Sequence, residues 1–176
     1  MSPRILIVGT SGSGKTTLAK ALSQKLHCPH IELDSLGWKP GWVKTPDEEF
    51  ICAVRDAISA ESWVVCGNWS IVKDLLWKRA THLIWLQLPF RIVLWRLFKR
   101  TMKNLLTKRK VAGGNQETFF QQFFTKQSIF LWVFQTHWKR KKTYQSLLSS
   151  GKYSHLNVVI IKSANDQNKT FSKKFL

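Results

Sequence analysis

Residues 9–16 read Gly-Thr-Ser-Gly-Ser-Gly-Lys-Thr, which satisfies G-x-x-x-x-G-K-[ST] at every fixed position. These residue types suit one task, holding a string of phosphates. Glycines let the backbone curl until successive N–H groups face inward as an anion-binding concavity. A helix starting near Lys15 adds the positive end of its dipole at the same point. Lys15 is long enough to reach β- and γ-phosphates, and the Thr16 hydroxyl suits Mg²⁺. Gly9, Thr10, Ser11, Gly12, Ser13, Gly14, Lys15, Thr16 and Thr17 are therefore the candidate nucleotide-binding residues, with Mg²⁺ beside Thr16. The dinucleotide fingerprint G-x-G-x-x-G is excluded because Gly12 and Gly14 are followed by Thr17. A guanine-specifying N-K-x-D is also missing, since Asn168-Lys169-Thr170-Phe171 fails at its fourth position, so ATP is favoured over GTP.

The motif needs a strand before it and a helix after it. Ile5-Leu6-Ile7-Val8 supplies the first, and Leu18, Ala19, Ala21, Leu22 and Leu26 give the second its periodicity over about 15–26. His30 to Asp34 reads as the next strand, with Asp34 at its carboxyl end. Ligands of open parallel sheets bind at that edge, so Asp34 and the phosphate loop should be neighbours. Glu32, two residues earlier, is expected to lie too deep to reach a metal ion. Thr45-Pro46-Asp47-Glu48 looks like a capped helix start, with Thr45 as cap and Glu48 completing a capping box. Trp63 to Cys66 and His82 to Leu88 read as two more buried strands, with a short helix over about 70–79 between them. Helix 90–106 places Arg96, Arg100 and Lys103 at i, i+4 and i+7, one basic stripe. Thr107 to Asn115 is a loop rich in Lys, Arg and Gly. Glu117 to about Leu148 is helical with a break, and Phe120, Phe124, Leu131, Phe134 and Trp138 have the spacing of a packed face. The run Lys139-Arg140-Lys141-Lys142 reads as a solvated face. A fifth strand over 155–161 completes an alternating α/β order, which implies a parallel sheet with right-handed crossovers.

Length and composition bound the rest. With 176 residues and 44% hydrophobic content, including nine tryptophans, the chain suits a single domain with a real core. The longest apolar stretch, 83–98, is interrupted by Gln87, Pro89, Arg91 and Arg96, so no membrane span is expected. The short lead before the first strand leaves no room for a signal peptide, and three scattered cysteines read as reduced thiols of a cytoplasmic protein. Charge is lopsided. Residues 1–74 carry eight Lys/Arg against eight Asp/Glu, whereas residues 75–176 carry twenty against Glu117 and Asp166 alone and supply the whole net charge of +18. Such a half gathers the phosphates of small substrates, or it forms an electrostatic footprint for weak, non-specific nucleic-acid binding. Both remain open on charge alone.

Several stretches resemble a known group. Leu33-Asp34-Ser35-Leu36-Gly37-Trp38-Lys39-Pro40-Gly41-Trp42, Trp63 to Trp69, Gly114 to Phe119 and Ser128 to Val133 are similar to the DNA topology modulation (FlaR) family, within the adenylate-kinase-like P-loop kinases. The resemblance spans about residues 4–162. It implies a three-layer P-loop NTPase fold with a five-stranded parallel sheet, a lid at about 100–126 and a polar tail at about 163–176. It further implies transfer of the γ-phosphoryl group of ATP to a small-molecule or nucleotide acceptor; a nucleic-acid-binding P-loop ATPase is the alternative. By this resemblance Lys15, Asp34, Arg96 and Arg100 are catalytic candidates. Thr16 and Asp34 are on the metal side; Asp34, Trp38 and Asn68 are on the substrate side, with Trp42 in the segment that closes over the acceptor. Ser163-Ala164-Asn165 would line the adenine. One departure stands out: the group reads Asp-Gly-Asn-Tyr where this chain has Cys66-Gly67-Asn68-Trp69. The usual metal-side carboxylate is gone, which leaves Asp34 as the expected replacement.

Overall fold

The computed structural model describes residues 2–125, 128–163 and 166. In chain order the elements are β1 (Arg4–Gly9), α1 (Lys15–Leu26), β2 (His30–Glu32), α2 (Leu33–Gly37), β3 (Trp38–Lys39), β4 (Val43–Lys44), α3 (Asp47–Ala57), β5 (Trp63–Cys66), α4 (Lys73–Arg79), β6 (His82–Leu86), α5 (Phe90–Thr107), β7 (Lys110–Val111), β8 (Asn115–Gln116), α6 (Phe119–Phe124), α7 (Ile129–Ser149) and β9 (Asn157–Ile161). Five strands form one parallel sheet in the order β2-β5-β1-β6-β9. The expected α/β architecture is therefore present, with β1 and its loop at the centre of the sheet.

The strands are apolar throughout because both faces are covered. Leu6, Val8, Val65, Leu83 and Trp85 face one cluster with Phe50 and Val54 of α3, Leu76 and Trp77 of α4 and Tyr144 of α7. Ile5, Ile7, Val64, Cys66, Ile84 and Leu86 face the other, with Leu18, Ala19 and Leu22 of α1, Val93 and Leu97 of α5 and Val133 of α7. Helix α7 contributes Val133 to one cluster and Tyr144 to the other. It thus reaches from one face of the sheet to the other, and the residues between them meet the phosphate loop.

Several local expectations change. The second strand stops at Glu32, and Asp34 lies in the first turn of the short helix α2 rather than on a strand end. Thr45 does not cap α3, whose flanking residue is Pro46 with no side-chain cap. Its hydroxyl donates to Leu36 O at 2.8 Å and its N–H to Gly37 O at 3.0 Å, so Thr45 ties α3 to α2 instead. The expected packed face of Phe120, Leu131, Phe134 and Trp138 is exposed by 69%, 41%, 60% and 48%. The side chain of Phe124, and with it Ala164, Asn165 and nearly all of the polar tail, lies outside the described residues.

Two small hairpins follow α2 and α5. One is β3–β4; the other, β7–β8, occupies the stretch expected as a plain loop. They are interlocked. Asn115, 5% exposed, accepts from Trp42 N at 2.8 Å and donates to Lys39 O at 3.0 Å and Ala112 O at 2.8 Å. The Trp42 indole donates to Gln116 O at 3.3 Å. Gly113 has φ +64°, and a Cβ there would fall 2.0 Å from Trp38 O. Only glycine fits that approach.

Candidate phosphate-binding and acceptor site

Gly14 takes the left-handed conformation just before α1, and Gly12 (φ +86°) lies against the backbone of Val93 and the Leu97 side chain. The loop is thereby seated on α5. Arg96 Nη1 donates to Ser13 O at 3.3 Å, which adds a side-chain tie between the same two elements. On the other flank Asn68 clamps the loop entry. Its Oδ1 accepts from Gly9 N at 3.1 Å and its Nδ2 donates to Gly9 O at 2.5 Å. Asn68, expected on the substrate side, thus has both ends of its amide engaged with the loop backbone. Tyr144 donates to the same Oδ1 at 3.1 Å, while His137 Nδ1 lies 3.2 Å from Thr10 Oγ1.

Lys15 is half-buried and its ammonium donates to Thr10 O at 3.1 Å. Burial pulls its pKa down from 10.5 to about 8, opposed by the Asp34 charge and assisted by Arg140 and Arg100. A cation whose charge is penalised by partial burial is poised for an incoming polyanion. Asp34 is oriented by the Trp69 indole, which donates to Oδ1 at 2.8 Å. Trp38 stands edge-on to both Trp69 and Trp42, with centroids 5.9 Å apart in each case. Arg100 is 3.9 Å from Glu117, whose other oxygen accepts from Asn104 at 3.0 Å. The basic stripe therefore divides: Arg96 is on the loop, Arg100 pairs across to Glu117, and Lys103 is exposed. Thr17 is exposed at the start of α1.

The metal side differs from the expectation. Glu32 is not too deep, because Thr16 Oγ1 donates to Glu32 Oε1 at 2.9 Å. Glu32 is also the register partner of Cys66 across β2 and β5. The Cys66 thiol lies 3.9 Å from Thr16 Oγ1 and 3.3 Å from His30 Nε2. Burial and the Glu32 charge push its pKa up to about 12, so it is a neutral thiol here. Among the described residues no three His, Cys, Asp or Glu side chains gather as a metal cage. The donors present, a hydroxyl and carboxylates, are hard oxygens of the kind Mg²⁺ accepts alongside water and phosphate. These residues fit that ion.

Sequence reasoning missed Arg140. It was read as part of a solvated Lys/Arg run, yet Val133, His137, Arg140 and Tyr144 follow at i, i+4, i+7 and i+11, one helix face. Burial lowers the Arg140 pKa, and Asp34 and Tyr144 are its charge neighbours. Arg140 and Tyr144 line two adjoining cavities. The first, about 480 Å³, lies beside Gly9, Thr10, Leu86 and Lys162 at the ends of β1, β6 and β9. The second, about 320 Å³, lies beside Leu33, Gly67, Asn68 and Trp69 at the ends of β2 and β5.

Solved structures share this arrangement of elements. A gluconokinase from Sinorhizobium meliloti 1021 superposes with a TM-score of 0.54 at 18% identity, over 95% of this chain and 86% of that one. A shikimate kinase from Bacteroides thetaiotaomicron gives 0.54 at 16% identity, over 98% and 96%. A shikimate kinase from Acinetobacter baumannii, in complex with shikimate, gives 0.59 at 14%, over 99% and 91%. At these identities the likeness is one of fold. Two curated shikimate kinases from Bacteroides fragilis strains are 58% identical over 31 residues, so the chain spans 17% of the length of the curated relatives it matches. A family model described as AAA domain matches residues 5–118, from the first strand through the β7–β8 hairpin, and the chain belongs to that family.

Proposed function

We propose that the chain is an ATP-dependent kinase that transfers the γ-phosphoryl group to a small acceptor in the second cavity. The observation that carries this reading is the complete phosphate loop, with Arg96 donating to Ser13 O at 3.3 Å, Lys15 to Thr10 O at 3.1 Å, and Asp34 and Arg140 as charges acting on Lys15. Phosphoryl transfer needs little covalent help from protein; positioning and charge stabilisation supply most of it. The loop amides and Lys15 hold the β- and γ-phosphates. Arg140, shared by the two cavities, stands where a group passing between them carries its developing charge. Asp34, fixed by Trp69, takes the proton of the attacking acceptor hydroxyl. A new O–P bond forms to the acceptor, the bond to the β-phosphate bridging oxygen breaks, and ADP leaves. Thr16 and Glu32, with Asp34 beyond, would hold Mg²⁺, which would supply neutralisation of the phosphate charge.

Within the AAA domain family we assign the chain to the DNA topology modulation (FlaR) group, on the stretches quoted above. Its basic half is nonetheless divided, with Arg96 tied to the loop, Arg140 on the cavities and Arg100 paired with Glu117. No described helix is long and apolar enough to cross a membrane. With ATP as donor and Cys28, Cys52 and Cys66 all free, we place the protein in the cytoplasm. The test is ADP release from ATP·Mg²⁺ by the purified chain, measured alone, with a panel of hydroxyl-bearing small molecules, and with DNA. Stimulation by a small acceptor, with phosphate recovered on it, is the expected result. Turnover that responds to DNA alone would overturn the kinase reading.

A further inference from the structure

One outer face of the molecule is both apolar and basic. In α5 the residues Val93, Leu97, Thr101 and Asn104 are buried, while Arg96 and Arg100 on one flank reach Ser13 O and Glu117. The opposite flank exposes Leu94, Trp95, Phe98 and, by 80%, Leu106. Phe90, at the start of the helix, carries this face onto α7, with its ring 5.9 Å from Phe134 and 4.7 Å from Trp138. Phe130, Phe134 and Trp138 fall at i, i+4 and i+8, one stripe of that helix. Phe130 in turn stacks on Phe123 of α6 at 5.1 Å. A row of rings thus joins three helices, and a contiguous apolar face of this kind marks an interaction site.

The charges around it say what covers it. Arg91, Lys99 and Lys103 of α5 and Lys142 of α7 are exposed beside these groups. Among the described residues no carboxylate stands within ion-pair distance of any of them. Two copies meeting through this face would press like charges together, which disfavours self-association. A nucleic acid needs open ring faces for its bases. Trp95 is instead stacked on Phe98 at 6.1 Å and carries Lys99 Nζ 4.7 Å from its centroid, and Leu94, Leu106 and Leu131 have no ring face to offer. Aliphatic and aromatic groups interleaved with cations are what an anionic lipid surface accepts, since the apolar groups enter the headgroup–acyl boundary and long cationic stems reach back to phosphate. We infer that this face docks the protein on an anionic bilayer, with Trp95, Phe98 and Phe134 entering the boundary and Lys99, Lys103 and Lys142 against lipid phosphates. No described helix is long and apolar enough to cross a bilayer, so the contact is one of lying on its surface. Nothing in this docking depends on phosphoryl transfer.

The test is co-sedimentation of the full chain with vesicles of phosphatidylcholine alone and of phosphatidylcholine with an equal part of phosphatidylglycerol, at low and high salt. The chain should pellet with the anionic vesicles about tenfold or more tighter than with the neutral ones, weaken with salt, and have its tryptophan fluorescence quenched by brominated lipid. Any protein of net charge +18 adheres to anions at low salt, so the deciding variants keep every charge. Trp95→Gln with Phe98→Gln, and separately Leu131→Gln with Phe134→Gln, should each lower vesicle affinity about tenfold or more, as loss of buried apolar side chains requires. Because these side chains are exposed, both variants should melt with the parent, and the second pair serves if the first does not fold. Lys99→Gln with Lys103→Gln should weaken binding several-fold and flatten its salt dependence. No pelleting, equal pelleting with neutral vesicles, or ring variants that bind as the parent does overturns the inference. So does a dimer in sedimentation velocity, or binding of oligothymidylate, that the ring variants abolish while vesicles go unbound.

Discussion

Thr16 Oγ1 donates a 2.9 Å hydrogen bond to Glu32 Oε1, and Glu32 stands in register beside Cys66. A carboxylate thus stands one strand over from position 66, in register with it, and we propose that it takes the metal-side part. Glu32→Gln should lower Mg²⁺ affinity in the presence of AMP-PNP about tenfold or more, as loss of a hard anionic ligand requires. Asp34→Asn should cost about 10²-fold in single-turnover rate while AMP-PNP affinity changes little, because loop amides and Lys15 remain. Calorimetry for the first and rapid-quench kinetics for the second check these. Unchanged turnover in Asp34→Asn refutes its catalytic assignment.

Cys66→Asp tests the same relationship from the other side. The new carboxylate faces Glu32 directly and sits where a thiol is 2% exposed. Like charges on neighbouring strands are destabilising, and a desolvated one more so. The variant should melt at lower temperature than the parent without metal and recover on adding Mg²⁺ with nucleotide. Thermal melts across a Mg²⁺ titration read this out; a variant as stable as the parent without metal contradicts it.

Lys15 makes opposite contributions to the empty and the loaded protein. Its pKa of about 8 lies below the usual 10.5, so the folded state binds its proton less readily than the unfolded state does. Between about pH 8 and 10.5 the unfolded chain holds more protons at this site, and stability from this group rises with pH. Phosphate binding needs the protonated form, so AMP-PNP affinity should fall as pH climbs through about 8, with proton uptake above that value. Lys15→Met should abolish measurable AMP-PNP binding and leave the empty protein at least as stable as the parent. Calorimetry in buffers of different ionisation enthalpy, with melts of both proteins, checks each half.

The hairpin lock depends on one amide and one glycine. Asn115→Ala removes three hydrogen bonds from a buried position and should cost about 1–3 kcal/mol of stability. Gly113→Ala places a methyl against Trp38 O and should separate the hairpins with little effect on the core. Both should raise the KM for acceptor more than that for ATP. Limited proteolysis between residues 107 and 118 should speed up in both.

Much of this was legible in the chain because it is local. The phosphate loop depends on consecutive residues, and the strands are apolar runs bounded by turns, so five strands, their parallel direction and α1 follow from pattern. What escaped depends on partners far away in sequence. Thr45 looks like a helix cap until Leu36 and Gly37 offer their carbonyls, and a side-chain hydroxyl satisfies whichever acceptor the tertiary fold brings near. Glu32 looked too deep only while Asp34 was placed on the same strand; ending β2 two residues early lifts it to the level of Thr16. Arg140 was hidden in a run of four cations, and only the Val133–His137–Arg140–Tyr144 spacing separates it from its more exposed neighbours.

The Asn115 lock has a kinetic consequence. Because Asn115 and the Trp42 indole stitch the two hairpins together, we expect the lid and the acceptor flap to swing as a single shutter rather than as two independent doors. Both products would then wait on the same opening event, and a trapped acceptor would slow the escape of ADP as much as its own. We expect turnover to be paced by how often that shared lock opens.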